Sequence, residues 1–311
     1  MKIVFMGTSE FAVPSLQALL ATPQYEVLAV VTQPDRPKGR GNKVALSPVK
    51  EAAIQYNIPV LQPVRIKRKA QVAELAAYNA DVFVVASYGQ ILSEEILNLP
   101  KYGCICVHAS LLPKYRGASP IQQAILHGDE MAGVTIMQMD AGVDTGDILL
   151  PRTIPIEPDE TGGTLHDKLA GLGAAALLEF LPSLEAETVT RMKQSDTGIE
   201  PTHAPLLTKE MGLIDWSRSP LSIVNQIRGL NPWPCAFTMI DGQPLRLYKA
   251  ETAEGTGTPG TVLTASPKAG LIIAADGGAV RICELQAQNG KRMAAEAYLL
   301  GHPIPVGTIW Q

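Results

Sequence analysis

His108 closes the apolar run Cys104-Ile105-Cys106-Val107, and the acid-rich loop Asp140-Ala141-Gly142-Val143-Asp144-Thr145-Gly146-Asp147 follows later in the chain. An imidazole and a carboxylate on separate crossovers of one sheet can form a general acid/base pair, the carboxylate orienting or charging the ring. A histidine at a strand end also serves as a plain hydrogen-bonded structural residue, and the residues alone leave both uses open. The histidine tract continues through Ala109-Ser110-Leu111-Leu112-Pro113 to Lys114-Tyr115-Arg116-Gly117, and a further polar cluster, Ser87-Tyr88-Gly89-Gln90-Ile91-Leu92, follows another apolar run. Ligands of open α/β sheets gather at the carboxyl ends of strands, so these three clusters mark where a site would form.

The elements that must position them follow from patterning. Lys2–Met6, Glu26–Thr32, Asp81–Ser87, Gly103–His108, Val134–Met139 and Asp147–Ile156 read as strands; Phe11–Leu20, Pro120–His127 and Thr164–Phe180 read as helices. Short apolar runs alternating with amphipathic segments predict an α/β domain with a largely parallel sheet. Gly7-Thr8-Ser9 follows the first strand, but Gly-x-Gly-x-x-Gly is absent, which argues against a nicotinamide or flavin dinucleotide. Residues 196–220 are polar and proline-rich, as in a connector. From Pro234 onward, short alternating strands separated by Gly, Pro and Asp predict a small all-β barrel. The expected division is a catalytic domain over 1–205, including the start of the linker, and a second domain over 206–311.

Hydrophobic residues make up 46% and charged residues 18% of the 311-residue chain, which excludes wholesale disorder. No run approaches the ~20 apolar residues that cross a bilayer, and Met1–Met6 lacks the form of a secretory leader. The expected address is cytoplasmic. Cys104, Cys106, Cys235 and Cys283 show neither Cys-x-x-Cys pairing nor zinc-ligand spacing, so reduced thiols and no metal are expected. Net charge is −4, yet residues 206–311 carry nine Lys/Arg against eight Asp/Glu, which permits a local basic face. Two basic runs stand out. Residues 34–43 hold Arg36, Lys38, Arg40 and Lys43 against Asp35 alone, and Arg65-Ile66-Lys67-Arg68-Lys69 follows. Each is either a solvated face or a phosphate-binding surface. The first follows the second strand and so shares the rim of the proposed catalytic groups.

Across nearly its whole length the chain resembles the formyltetrahydrofolate-dependent formyltransferases, and among them the bacterial methionyl-tRNA formyltransferases. The resemblance rests on residues 107–122 (Val-His-Ala-Ser-Leu-Leu-Pro-Lys-Tyr-Arg-Gly-Ala-Ser-Pro-Ile-Gln), the 140–147 loop, Gln-Pro-Asp-Arg-Pro-Lys-Gly-Arg-Gly at 33–41 and Asn-Pro-Trp-Pro-Cys-Ala-Phe at 231–237. It implies a Rossmann-like open-sheet domain followed by a C-terminal OB-like barrel. It also implies a monomeric, metal-free enzyme moving a formyl group from 10-formyltetrahydrofolate to the amine of methionyl initiator tRNA. His108 would stabilise the oxyanion and move protons, with Asp144 holding the ring and assisting amine deprotonation. Ser110, Leu111, Leu112 and Pro113 would line the folate site. Tyr88, Gln90, Ile91 and Leu92, with the backbone of the loop that Asp140 opens, would hold the pterin. Arg36, Lys38, Arg40 and Lys43 match the insertion that enters the acceptor stem of tRNA.

One position departs from the pattern. The family has Asn two residues before the histidine, where this chain has Cys106. A thiol is a weaker hydrogen-bond donor than an amide. Cys106 is therefore a natural variant with reduced or compensated activity, an engineered change, a nucleophile on a formyl-thioester route, or a mark of altered function. The natural variant is the favoured reading. The alternative activities are transfer to an amino-sugar or nucleotide amine, or folate binding with reduced turnover.

Overall fold

The computed structural model describes residues 1–38 and 43–310. Two compact units result. One comprises Met1–Pro120, Ala132–Ile154 and His166–Ala204; the other comprises Ile121–Met131, Pro155–Leu165 and Pro205–Gln311.

In chain order the first half contains β1 (Lys2–Gly7), α1 (Val13–Leu20), β2 (Glu26–Val31), β3 (Arg36–Lys38), β4 (Lys43–Ala45), α2 (Pro48–Gln55), β5 (Val60–Leu61), α3 (Lys69–Ala76), β6 (Val82–Ala86), α4 (Glu94–Leu97), β7 (Cys104–His108), β8 (Arg116–Gly117), α5 (Pro120–Leu126), β9 (Met131–Gln138), β10 (Ile148–Pro155), α6 (Gly162–Glu185) and β11 (His203–Ala204). The main sheet runs β10-β9-β7-β6-β1-β2-β5. β1 is parallel to β2 and β6, β5 to β2, and β7 to β6. β9 is antiparallel to β7 and sets Thr135 opposite His108. The chain builds outward from β1 to β5 and then returns to β6 and β7, so the order reverses beside β1. Such a switch opens a crevice at the carboxyl ends of the strands. This is the open α/β sheet that the alternating pattern implied.

Burial explains why these segments are strands. β6 (Val-Phe-Val-Val-Ala) and β7 (Cys-Ile-Cys-Val-His) are buried at every position, as expected of strands covered on both faces. Met6, Phe83, Val85, Cys104, Cys106 and Met137 share one core with Ile96, Leu112 and Leu92. Gly7 answers to packing rather than to a ligand, since a Cβ there would sit 2.8 Å from both Ala12 Cβ and Phe5 Cε1.

Several boundaries move. The helix expected from Phe11 begins at Val13 after a 3₁₀ turn over Glu10–Ala12, with Pro14 in its first turn, where its missing N–H costs nothing. α6 runs beyond Phe180 to Glu185 and carries Pro182 inside it. α3 starts at Lys69, at the end of the second basic run; α2 was not foreseen, and Ser47 caps it by accepting from the Lys50 N–H. The basic 34–43 segment supplies β3 and the first residue of β4, which pair as an antiparallel ribbon.

The C-terminal unit contains α7 (Pro220–Gly229), capped by Ser219, then β12 (Ala236–Ile240), β13 (Gln243–Ala253), β14 (Val262–Ser266), β15 (Gly270–Ala275), β16 (Gly278–Ala287), β17 (Met293–Ala294) and α8 (Ala295–Gly301). The sheet order is β12-β13-β16-β15-β14, with β17 on β16, and its pairings are antiparallel. Its core gathers Leu247, Ile273, Ile282, Leu285, Ile223 and Ile227. Trp216 and Trp310 meet edge to face within that core. Trp233, in the Asn-Pro-Trp-Pro tract, is 52% exposed.

Candidate active site

His108 is the last residue of β7 and is buried. Its Nε2 lies 3.0 Å from the Tyr115 carbonyl oxygen, and its Nδ1 lies 3.6 Å from Asp144 Oδ2. With the Nε2–H donated to that carbonyl, the neutral ring presents its Nδ1 lone pair toward the carboxylate. A proton taken up at Nδ1 turns this contact into an attraction between opposite charges, which is the behaviour a proton-handling pair requires.

The loop geometry that makes this pair is specific. Tyr115 and Asp144 both adopt left-handed backbone, at φ 60° and φ 54°, a region that Asp tolerates better than most residues. Asp144 Oδ2 accepts the Gly117 N–H at 2.8 Å. Gly117 itself has φ 116°, and a Cβ there would lie 2.6 Å from the Ala204 carbonyl oxygen. That close approach is β8 pairing in parallel with β11. The segment after 196, read as a plain connector, thus supplies a strand beside the loop after His108.

Gln194 was missed by the sequence reading. It is 4% exposed. Its Nε2 donates to the carbonyls of Asp144 and Gly146, both at 2.8 Å. Its Oε1 accepts from Arg116 Nε at 2.9 Å and Nη2 at 2.7 Å. One side chain thereby clamps the Asp144 loop to the loop after His108. No motif or periodicity marks a glutamine in a polar stretch for such a task. Gln194→Met should lower kcat about 10-fold or more, and leaving three polar groups unpaired should cost about 1–3 kcal/mol. Steady-state formyl transfer and thermal denaturation check this, and an unchanged kcat would remove Gln194 from the site.

Thr135 is a second residue that patterning did not reveal. It is fully buried, donates Oγ1–H to the Ser110 carbonyl at 2.7 Å and accepts the Leu112 N–H at 3.2 Å. Ser110 Oγ donates to the Lys114 carbonyl at 2.6 Å. The Ser-Leu-Leu-Pro tract is therefore a fixed turn. Leu112 is packed in the core, while Leu111 is half-buried.

The other proposed folate residues separate in the same way. Tyr88 is buried, its hydroxyl has no hydrogen-bond partner among the described residues, and burial raises that group well above its ordinary pKa. Gln90 spends its amide on the 63–66 loop, accepting the Ile66 N–H at 2.9 Å and donating to the Pro63 carbonyl at 2.9 Å. Leu92 is core, whereas Ile91 is 58% exposed. Asp140 shapes its own loop, accepting from the Gly142 N–H and the Thr145 hydroxyl. Val143 in that loop is 52% exposed.

Cys106 is buried two residues before His108. Burial first, and the Asp144 charge second, push its thiol far above the usual range; burial raises Cys104 to about 12. A nucleophile must be thiolate, and both effects disfavour that form. Among the described residues, no group of three or more His, Cys, Asp or Glu could hold a metal ion, and no helix is long and apolar enough to cross a membrane.

Of the basic insertion, Arg36 is exposed on β3, Lys38 and Lys43 fall on the ribbon, and Arg40 lies outside the described residues. Asp35 is already engaged. The Lys50 ammonium, 2.5 Å away, and the Gln62 amide hold its carboxyl below the ordinary range.

A sheet with a topological switch, bearing a His–Asp pair and a fixed loop at its strand ends, is a scaffold for group transfer. The formyl transferase family matches residues 1–181 and the formyl transferase C-terminal domain matches residues 206–303; the chain belongs to this family. Within it, the chain falls among the methionyl-tRNA formyltransferases. It is 53% identical to the methionyl-tRNA formyltransferase of Caldanaerobacter subterraneus subsp. tengcongensis over 99% of both chains. It is 48% identical to that of Geotalea uraniireducens over 99% of this chain and 97% of the relative. A sugar 3N-formyl transferase, solved in the presence of dTDP and 5-N-formyl-THF, shares the fold. Its TM-score is 0.64 at 20% identity, over 94% of this chain and 99% of that one.

Proposed function

We propose that this protein transfers the formyl group of 10-formyltetrahydrofolate to the free amine of methionyl initiator tRNA, for translation initiation in the cytoplasm. The observation that carries this reading is the His108–Asp144 pair at the end of β7, held by Gly117 and Gln194, in a chain 53% identical to a methionyl-tRNA formyltransferase. Residues 1–205 act as the catalytic domain and 206–311 as the tRNA-contacting domain.

The residues present suit a folate donor. Ile91 and Val143 leave large apolar side chains uncovered on the loops assigned to the pterin, and a flat ring needs such surface. The fixed 110–113 turn offers a rigid wall beside them. The bound donor supplies a formyl carbon ready for attack by an amine. While ionised, Asp144 holds a positive charge on His108; as the amine adds to the formyl carbon Asp144 takes the proton the amine loses, and that proton passes to N10 as the C–N10 bond breaks and tetrahydrofolate leaves. His108, protonated at Nδ1, donates to the negative oxygen that develops as the amine adds. Preformed donors of this kind cost no reorganisation at the moment of reaction.

Incubation with 10-formyltetrahydrofolate and either methionyl initiator tRNA or methionyl elongator tRNA tests the reading. Formyl transfer to the initiator species alone is expected. Folate binding without transfer to either tRNA would leave a folate-binding homologue, and transfer to an amino sugar would name a different acceptor.

A further inference from the structure

We infer that the exposed run Arg65, Lys67, Arg68 and Lys69 is a second phosphate-binding surface for the tRNA, adjoining the β3–β4 ribbon. The inference rests on the proposed tRNA substrate and extends the binding surface beyond the 34–43 segment.

Topology places the two basic segments together. β5 pairs in parallel with β2, with Val30 opposite Val60 and Val31 opposite Leu61. The chain leaving β2 toward Arg36 and the chain leaving β5 toward Arg65 therefore depart from neighbouring strands at one edge of the sheet. His108 ends β7 at that same carboxyl edge, since β7, β6, β1, β2 and β5 run parallel to one another. Cross-bonds tie the two segments at their roots: Gln62 Nε2 donates to the Gln33 carbonyl at 3.0 Å and to Asp35 Oδ1 at 2.8 Å.

The second segment is also held rigidly. Ile66 is 1% exposed and anchors it in the core, and its N–H is taken by Gln90. Arg65, Lys67, Arg68 and Lys69 are exposed on either side of that anchor. From residue 62 to residue 73 the chain has no Asp or Glu. None of the four cations forms an ion pair among the described residues, and Asp35, the acid of the neighbouring segment, is occupied by Lys50. The rim thus carries uncompensated positive charge, which suits a polyanion backbone.

Stability does not account for these side chains. The first turn of α3 has no acid, and its start is flanked by Arg68 and Lys69, where the helix dipole disfavours positive charge. A merely structural role would make their loss harmful to folding, whereas a phosphate-binding role allows neutral replacements to fold as well or better.

The test uses the full chain and methionyl initiator tRNA. Three double variants are compared: R65Q/K67Q, R68Q/K69Q, and a control, K2Q/K101Q, which removes the same charge from the opposite edge of the sheet. Each rim variant should raise the KM for tRNA several-fold and flatten the plot of log KM against log salt by roughly 1 for each phosphate no longer engaged. Maximal kcat and the KM for 10-formyltetrahydrofolate should stay at wild-type values, and the melting temperature of R68Q/K69Q should not fall. If both rim variants match the control in KM and salt slope, the second surface is refuted. Absence of formylation by the unmodified protein would instead refute the tRNA reading itself.

Discussion

Replacing Asp144 with Asn should lower kcat for formyl transfer by about 10²–10⁴-fold, the range spanned by loss of a positioned acid/base group. The fold and the KM for tRNA should hardly change. Asn keeps an oxygen to accept the Gly117 N–H that Asp144 now accepts at 2.8 Å, and it shares the tolerance of Asp for left-handed backbone at φ 54°. The Gln194 clamp grips the main-chain carbonyls of Asp144 and Gly146 rather than the carboxylate, so it survives the change. What disappears is the negative charge 3.6 Å from His108 Nδ1, together with the group proposed to take the amine proton. Asp144→Ala separates the two roles. It should lose the same activity and also about 1–3 kcal/mol of stability, because Gly117 loses its acceptor and Ala resists positive φ. Steady-state rates and denaturation curves for the pair check this, and an Asn variant with near wild-type kcat would remove Asp144 from the chemistry.

The sequence pointed to His108 and Asp144 because strand ends are where ligand-binding residues collect, and the family resemblance, not residue type, gave them their roles. The open sheet was legible as well, since continuous apolar runs such as Val82–Ala86 can be satisfied only under cover on both faces. What patterning could not show were the supports. Gln194 and Thr135 act through hydrogen bonds to main-chain groups distant in sequence, and no period or composition records a carbonyl to be paired. β11 is two residues long and lies in a proline-rich stretch, so its pairing with β8 emerges only in three dimensions. Residue type also did not show how some side chains are held: Tyr88 is buried, and Gln90 and Ser110 bond to the protein's own backbone. Ile91 and Val143 are the large apolar residues of these loops that stay exposed, and exposure is a property that alternation in a loop does not encode.

Cys106→Asn should raise kcat, by up to the roughly 10²-fold that a single oxyanion donor contributes, and should lower stability by about 1–3 kcal/mol. Cys106 and His108 are two apart on β7 and so share a face of the strand. The Asp144 charge is felt at the Cys106 thiol, which places that thiol near the proposed catalytic carboxylate. There it is a weak donor where an amide N–H would be a strong one. The gain is opposed by packing, because Cys106 belongs to the core with Met137, Leu112 and Tyr88. An amide in that setting needs partners that a thiol does not. Cys106→Ala completes the argument. On the formyl-thioester route, losing the sulfur abolishes turnover. With the thiol held protonated by burial, alanine removes only a weak donor and turnover persists at a reduced rate. Rates for the two variants at saturating folate and tRNA separate these cases, and an asparagine variant no faster than the unmodified protein would mean that Cys106 does not limit the stabilisation of the oxyanion.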